Sequence, residues 1–314
     1  MENRKPQTEN RFTLYLSPMI FDFRLHVFRT AARRLNFTKA AEELFITQPA
    51  VTRHIHELER MLKIKLFERS GSQMKLSQAG KILLTHSDQI FAVYRDLEFE
   101  INTLMERQSG LLRLGASTTV AQYVLPPVLA TFRQKFPDIR LTLTSKNSDA
   151  IFHAVEAGEI DLGISEGAAR ESSVQFTPFL RDEIVLVARS QNPVPSSLSL
   201  EELKRKSLLI REPGSGTRDV LSRALKDVRT SLAELSVEME LTSTEAIKQY
   251  ILSSDAMAFL SIHSVMKELQ LNECRIVDIE GLEIVRSFSF VLPHGQAPAL
   301  AVLFRKFTEH QLKK

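Results

Sequence analysis

The chain has 314 residues, of which 43% are hydrophobic and 25% charged, and its formal net charge is +3. This is the composition of a globular protein with room for two or three domains, and so small a charge excludes a protein that coats nucleic acid nonspecifically. The lone Cys274 excludes an internal disulfide framework, and the sequence has no run of about twenty apolar residues that would span a membrane, so we expect a cytoplasmic location and no membrane partner.

The first 18 residues are polar around a short apolar cluster between Phe12 and Leu16. This cluster is too short and interrupted for a signal peptide. We expect residues 1–18 to be a disordered extension, or Met19 to be the natural start.

Residues 19–77 have the pattern of a winged helix-turn-helix, a DNA-reading fold. The second helix should begin after Thr47, whose hydroxyl can accept a backbone N–H, and Pro49 costs little in a first turn. Its apolar stripe is Val51, Ile55, Leu58 and Leu62, and the expected partners are Leu25, Phe28, Ala32 and Leu35 of the preceding helix, with Ala40, Ala41 and Leu44 between.

The opposite face of this helix is polar and would meet the major groove near its N-terminus. Two short alternating segments around Ser70-Gly71-Ser72 predict a wing. The predicted DNA-contacting residues are Thr38, Lys39, Thr47, Gln48, Pro49, Ala50, Thr52, Arg53, His56, Arg69 and Lys75. The alternative is a small helical domain with a solvated charged face.

Residues 78–109 predict one long helix with an apolar heptad repeat. A helix with such a repeat packs along another helix, most simply in a second copy of the chain, although it could instead lie against its own C-terminal domain. The expected dimerisation residues are Leu83, Ile90, Tyr94, Leu97, Ile101 and Leu104.

Residues 110–314 alternate strand and helix patterns, which favours parallel βαβ units. The predicted strands are 111–116, 139–144, 161–165, 183–188, 208–211, 237–241, 258–261, 275–279 and 287–292, and the predicted helices are 120–136, 150–157, 218–228, 245–252 and 298–311. We expect two lobes, lobe I at about 110–182 and 286–314 and lobe II at about 183–285.

The gap between two such lobes is a ligand cleft, because strand ends and helix N-termini converge there. Hydroxyls and free N–H groups at helix N-termini favour a small anionic ligand, while each single Ser or Thr is more often a structural cap. The candidate residues are Ser117, Thr118, Thr119, Asn147, Glu166, Ser215, Gly216, Thr217 and Ser243, with Lys146 and Arg218 as further sources of charge.

The segment from Phe23 to Lys81 resembles the N-terminal domain of LysR-type transcriptional regulators. The resemblance rests on Ala40-Ala41, on Thr47-Gln48-Pro49-Ala50-Val51, on Leu66-Phe67-Glu68-Arg69 and on Ala79-Gly80. It implies an α+β multidomain chain with a periplasmic-binding-protein-like effector domain, operator DNA as the partner, a homodimer that can form a tetramer, and RNA polymerase as a further partner.

Two other classes of function are less well supported. A solute-binding protein with a helical appendage lacks an export signal. An enzyme regulated by DNA lacks visible machinery, because no P-loop, Gly-x-Ser-x-Gly or His-Glu-x-x-His motif occurs and the histidines are scattered. We therefore expect no catalytic residues, no metal site and no cofactor other than the small effector.

Overall fold

The computed structural model describes residues 22–70, 73–105, 108–166, 174–295 and 297–312. Contacts divide the chain into two compact units, residues 1–90 and 91–314. The expectations for residues 1–18, Met19 and the Gly71-Ser72 turn lie outside the described residues. None of the described helices is both long enough and apolar enough to cross a bilayer.

The first unit begins with helices α1 (Phe23–Arg34), α2 (Phe37–Leu44) and α3 (Gln48–Leu62). Each begins at a residue whose side chain accepts a backbone N–H: Asp22, Asn36 and Thr47. Strands β1 (Phe67–Ser70) and β2 (Gln73–Leu76) pair antiparallel as the predicted wing, and α4 (Gln78–Leu104) follows. Ala40, Ala41 and Leu44, which were expected to lie between two helices, belong to a helix of their own, α2.

The core of this unit lies where the three helices meet. Val51, Ile55 and Leu58 are buried there as expected, but Leu62 and Leu35 are 49% and 44% exposed. Leu62 is the last residue of α3, and Leu35 is the left-handed cap of α1, so both lie at helix ends beyond the buried core. The buried set is Val27, Phe28, Ala31, Ala32, Ala40, Ala41, Val51, Ile55, Leu58 and Leu66.

Gly80 explains how α4 begins so close to this core. A Cβ on Gly80 would lie 2.1 Å from the carbonyl oxygen of Leu66. The Gly80 N–H is accepted by the Ser77 hydroxyl, which in turn donates to the Lys65 carbonyl. A side chain at position 80 would therefore separate α4 from the core.

The second unit is built on one large mixed sheet. Its described strands run in the order β4-β3-β5-β12-β6-β10-β8-β9, and β11 pairs with β6 on one side and with β7 on the other. Their bounds are β3 Gly110–Ser117, β4 Ile139–Lys146, β5 Leu162–Glu166, β6 Val174–Arg189, β7 Ser197–Leu198, β8 Leu208–Arg211, β9 Val237–Leu241, β10 Met257–Ser261, β11 Cys274–Ile279 and β12 Val285–Pro293. The helices are α5 Leu125–Lys135, α6 Ser148–Glu156, α7 Leu200–Leu203, α8 Gly216–Asp227, α9 Thr244–Leu252, α10 Ile262–Gln270 and α11 Ala299–Leu312, with a π-helix Val120–Val124 and a 3₁₀ helix Leu232–Glu234.

Strand β6 belongs to both lobes. Residues 174–183 pair with β12, and residues 184–189 pair with β10 and β11. Separate apolar clusters lie on the two sides of this crossing, one around Leu112, Phe132 and Phe304 and another around Leu186, Leu208 and Leu225. The two-lobed α/β fold expected from the sequence is therefore confirmed.

The sequence prediction missed several elements of this unit: the first half of β6, strand β7, helix α7, the 3₁₀ helix Leu232–Glu234 and the whole of α10. The helix expected over residues 120–136 begins as a π-helix and becomes α-helical only at Leu125.

Candidate functional site

The N-terminal half of α3 presents a polar surface above its buried stripe. Gln48, Arg53 and His56 are exposed and Thr52 is half-buried. The Gln48 amide donates to the Thr52 hydroxyl over 2.9 Å, and Arg53 is 72% exposed beside Glu57. A guanidinium and an amide held on one helix face suit the acceptor and donor pattern of a major groove.

Polar groups beside α3 extend this surface. Thr38 and Lys39 are exposed in the first turn of α2, and Pro49 and Ala50 lie in the first turn of α3. Lys75 is exposed on β2. The side chain of Arg69, also predicted to contact DNA, lies outside the described residues.

Glu59 anchors the end of α3 to the segment that leads into the wing. Its carboxylate accepts the Leu66 N–H at 3.0 Å and pairs with Lys65 at 2.6 Å. Burial would raise the pKa of Glu59, but Lys65 and the backbone N–H hold it below its ordinary value. Both the recognition helix and the wing are thus fixed to one framework.

Helix α4 carries an apolar stripe that the described residues leave partly exposed. Ile90, Leu97 and Ile101 are 41 to 43% exposed, and Leu104 is 86% exposed. Two predicted seam residues are engaged otherwise, since Leu83 packs on the core of the first unit and Tyr94 is half-buried beside Phe91. Val93, one residue before Tyr94, is 67% exposed.

A buried polar cluster joins the lobes in the second unit. The Ser117 hydroxyl, at the end of β3, donates to Glu166 at the end of β5. The guanidinium of Arg286 lies 3.5 Å from Glu166, pairs with Asp182 at 2.6 Å and donates to the Thr217 hydroxyl at 3.1 Å. Three predicted residues, Ser117, Glu166 and Thr217, therefore meet, and the partner that unites them is an arginine that sequence reasoning did not single out.

The N-terminus of α8 in lobe II lies directly against α6 in lobe I. The Gly216 N–H donates to the Ser148 hydroxyl at 3.1 Å, and a Cβ on Gly216 would lie 2.4 Å from Cγ of Glu166. The expectation that the backbone N–H groups here are free is therefore wrong for Gly216. Asn147 caps its own helix by accepting the Ala150 N–H, and Ser215 is buried.

A second contact between the lobes involves α9. The Tyr123 hydroxyl donates to Glu245, and the Lys248 ammonium lies 5.0 Å from the centre of the Tyr123 ring. Burial and the Glu245 carboxylate both raise the pKa of Tyr123, so the phenol stays protonated. Ser243 caps α9 by accepting the Ala246 N–H.

The segment Ser117-Thr118-Thr119 leads from the end of β3 into the π-helix that carries Tyr123, and the Ser117 hydroxyl joins it to Glu166 of β5. Thr118 is half-buried, whereas Ser117 and Thr119 are buried. Of the two cations suggested from the sequence, Arg218 pairs with Glu240 and donates to the Arg211 carbonyl, and Lys146 is exposed. Arg211, which sequence reasoning missed, is buried and donates to the Thr244 hydroxyl at 3.0 Å.

Two sequence families match the chain. The family described as "Bacterial regulatory helix-turn-helix protein, lysR family" matches residues 23–81, and the family described as "LysR substrate binding domain" matches residues 105–313. The HTH-type transcriptional regulator CbbR of Rhodospirillum rubrum is 34% identical over 272 residues, which cover 87% of this chain and 90% of that protein.

Solved structures with the same fold include a ligand complex and a DNA complex. The regulatory domain of CcmR from Synechocystis PCC6803, in complex with 2-PG, is 30% identical with a TM-score of 0.59 and covers 65% of this chain and 98% of that domain. Full-length CbnR, complexed with its target DNA, is 19% identical with a TM-score of 0.65 and covers 92% of this chain and 99% of that chain. At this identity the similarity is one of fold alone.

Proposed function

The chain belongs to the LysR family of transcriptional regulators, and from this membership we propose that a homodimer reads its operator with the two α3 helices while a small anionic effector binds between the lobes. The observation that carries the DNA half of the proposal is the polar face of α3, where Gln48 and Arg53 project from a helix held by Val51, Ile55 and Leu58. The proposed DNA-contacting set also contains Thr38, Lys39, Thr47, Pro49, Ala50, Thr52, His56, Arg69 and Lys75.

Each of the three proposed domains has its own role. Residues 19–77 read DNA, residues 78–109 dimerise, and residues 110–314 bind the effector. RNA polymerase is a further proposed partner, and the setting is the cytoplasm.

We place the effector beside Ser117, Thr118 and Thr119, at the start of the π-helix that contacts α9. The two lobes touch at Ser148–Gly216 and at Tyr123–Glu245, so a ligand bound beside the π-helix senses their relative position. The binding of 2-PG by the CcmR regulatory domain supports a small anion as the ligand. Asn147, Glu166, Ser215, Gly216, Thr217 and Ser243 complete the proposed site.

An effector can change the DNA-bound geometry only if it prefers one arrangement of the lobes. Effector affinity and DNA affinity are then linked reciprocally, so operator DNA changes the affinity for the effector by the same factor as the effector changes the affinity for DNA.

The test of the DNA half begins with selection of duplexes from a random pool by the full chain. We expect enrichment of a quasi-palindrome that the protein binds in preference to a scrambled duplex at moderate salt. Equal binding of both duplexes would contradict sequence-specific recognition.

The test of the effector half is thermal stabilisation by 2-PG, with inorganic phosphate as the reference anion. A ligand that binds the folded state stabilises it by RT ln(1 + [L]/Kd), so tighter binding at the same ligand concentration raises the melting temperature further. The Thr118→Val substitution removes a hydroxyl from the proposed site and should reduce the thermal stabilisation by 2-PG. The control substitution Thr131→Val, on α5, should preserve this stabilisation. Equal stabilisation of both variants would refute this placement.

A further inference from the structure

Asp88 lies on the inner face of α4 and joins this helix to α1. Its Oδ1 is 2.5 Å from Nε of Arg29 and 2.7 Å from Nη2 of Arg33. Asp88 is 4% exposed, and its neighbour Ser87 is completely buried. One carboxylate oxygen therefore accepts hydrogen bonds from two guanidinium groups on successive turns of α1.

The surroundings make this contact a joint between two functional parts. Helix α1 packs on α3, the proposed recognition helix, through the core that contains Phe28 and Ile55. Toward its other end, α4 carries the exposed stripe that begins at Ile90, two residues after Asp88. The joint thus stands between the element that would read DNA and the element that would pair two copies of the chain.

Small rotations at this joint have large consequences. From Asp88 to Leu104, α4 extends about 24 Å at 1.5 Å per residue. A rotation of about 10° at Asp88 displaces its far end by roughly 4 Å, which exceeds the ~3.4 Å rise per base pair along the DNA helix axis. Apolar contacts of Leu83 and Leu84 with the core resist separation of the helices but are not directional. Charge-assisted hydrogen bonds are directional and fix an angle.

We propose that Asp88 is a positioning residue that sets the angle between the DNA-reading domain and the dimerising helix, and thereby the half-site spacing that the dimer accepts. This inference rests on the proposed function. It assigns Asp88 to selection of operator geometry, whereas Arg53 and its neighbours select base sequence.

The test uses the full-length protein and a quasi-palindromic duplex that it selects from a random pool. Base pairs are inserted or deleted between the half-sites, one to three at a time, and affinities are measured for each spacing. The wild type should prefer one spacing. The preference is expressed as the ratio of two affinities, one for the best spacing and one for a spacing one base pair longer. In Asp88→Asn this ratio should fall by roughly tenfold, which is within the range of coupling between contacting residues.

Three variants separate positioning from a general effect on folding. Asp88→Glu keeps the charge and should restore much of the preference. Gln89→Ala, at the exposed neighbouring position, should behave as the wild type. If Asp88→Asn does not fold, Arg33→Gln removes only the more exposed partner and should reduce the preference by a smaller factor.

A purely structural role would lower the melting temperature and weaken binding at all spacings equally, and that result would overturn the proposal. An unchanged ratio in a folded, dimeric Asp88→Asn would also overturn it. If the wild type selects no sequence at all, the proposed function fails instead.

Discussion

Arg286 and Asp182 face each other on the antiparallel strands β12 and β6, at the point where the chain passes between the lobes. Nε of Arg286 lies 2.6 Å from Oδ2 of Asp182, and both side chains are almost completely buried. Asp182 also accepts the Ser261 hydroxyl at the end of β10. The pair therefore joins both crossing strands to lobe II.

Asp182→Asn should destabilise the second unit strongly. The variant leaves the Arg286 guanidinium buried without its main counterion, and breaking a buried pair in this way costs about 3–5 kcal/mol. The free energy of unfolding in urea measures this loss. The matched control is Glu283→Gln in the exposed pair with Arg181, which should leave stability unchanged. Similar stability of the two variants would show that the buried pair does not hold the crossing.

The ion pairs of Asp161 predict that the stability of the second unit depends on pH. Its carboxylate pairs with Arg113 at 2.6 Å and with Arg95 of α4 at 2.9 Å. Burial raises the pKa of Asp161, but the two guanidinium groups hold it below its ordinary value. A lowered folded-state pKa gives stability that is present above the unfolded pKa, about 3.9, and is lost as the pH falls through the folded value. Asp161→Asn should therefore be less stable than the wild type at pH 7, and the difference should shrink toward pH 3 in urea unfolding.

Asp96 lies on α4 beside Arg95, and its substitution serves as a control because the stability change should have the opposite pH dependence. Burial raises the pKa of Asp96, although it accepts the Ala299 N–H. Ionisation of a group with a raised pKa costs stability as the pH rises, so the stability of Asp96→Asn relative to the wild type should increase from pH 3 to pH 7. The same trend in both variants would contradict the assigned causes.

The winged helix-turn-helix was predictable because its signals are local. Thr47 caps α3 three residues before the N–H it accepts, and Val51, Ile55 and Leu58 repeat within one helix. The first half of β6 gave no such signal, since its buried and exposed residues do not alternate regularly. Helix α10 follows β10 without a Gly or Pro between them, so the sequence showed no boundary.

The candidate effector site was only partly predictable because its contacts join distant segments. Ser148 and Gly216 are 68 residues apart, and neither signals the other along the chain. Glu166 was predicted to be an effector-binding residue, but its burial beside Arg286 could not be read from the sequence. Sequence can suggest which strand ends converge, but which side chains pair there depends on the register of strands β6 and β12.

Arg53→Ala and Lys39→Ala should weaken DNA binding in different ways. Arg53 lies on the outward face of α3, where loss of a base contact costs about 1–3 kcal/mol of discrimination between the selected duplex and a point-substituted one. Lys39 lies at the start of α2, where a phosphate contact contributes equally to all sequences. Anisotropy titrations against both duplexes measure the two effects. Uniform weakening by Arg53→Ala would place Arg53 on the phosphate backbone.

The exposed stripe of α4 predicts how two copies of the chain associate. Leu97→Glu places a charge in the middle of this stripe, between Val93 and Ile101, and burying an unpaired carboxylate in a dimer is costly. Sedimentation equilibrium should show a dimer dissociation constant at least about tenfold higher, a change of about 1.4 kcal/mol. Thr103→Ser alters an exposed residue of the same helix about 120° around its axis from Leu97 and should leave the dimer intact. Because both half-sites must be occupied together, Leu97→Glu should also weaken binding to the full operator more than to a single half-site. A variant that remains as dimeric as the wild type would move the dimer interface away from α4.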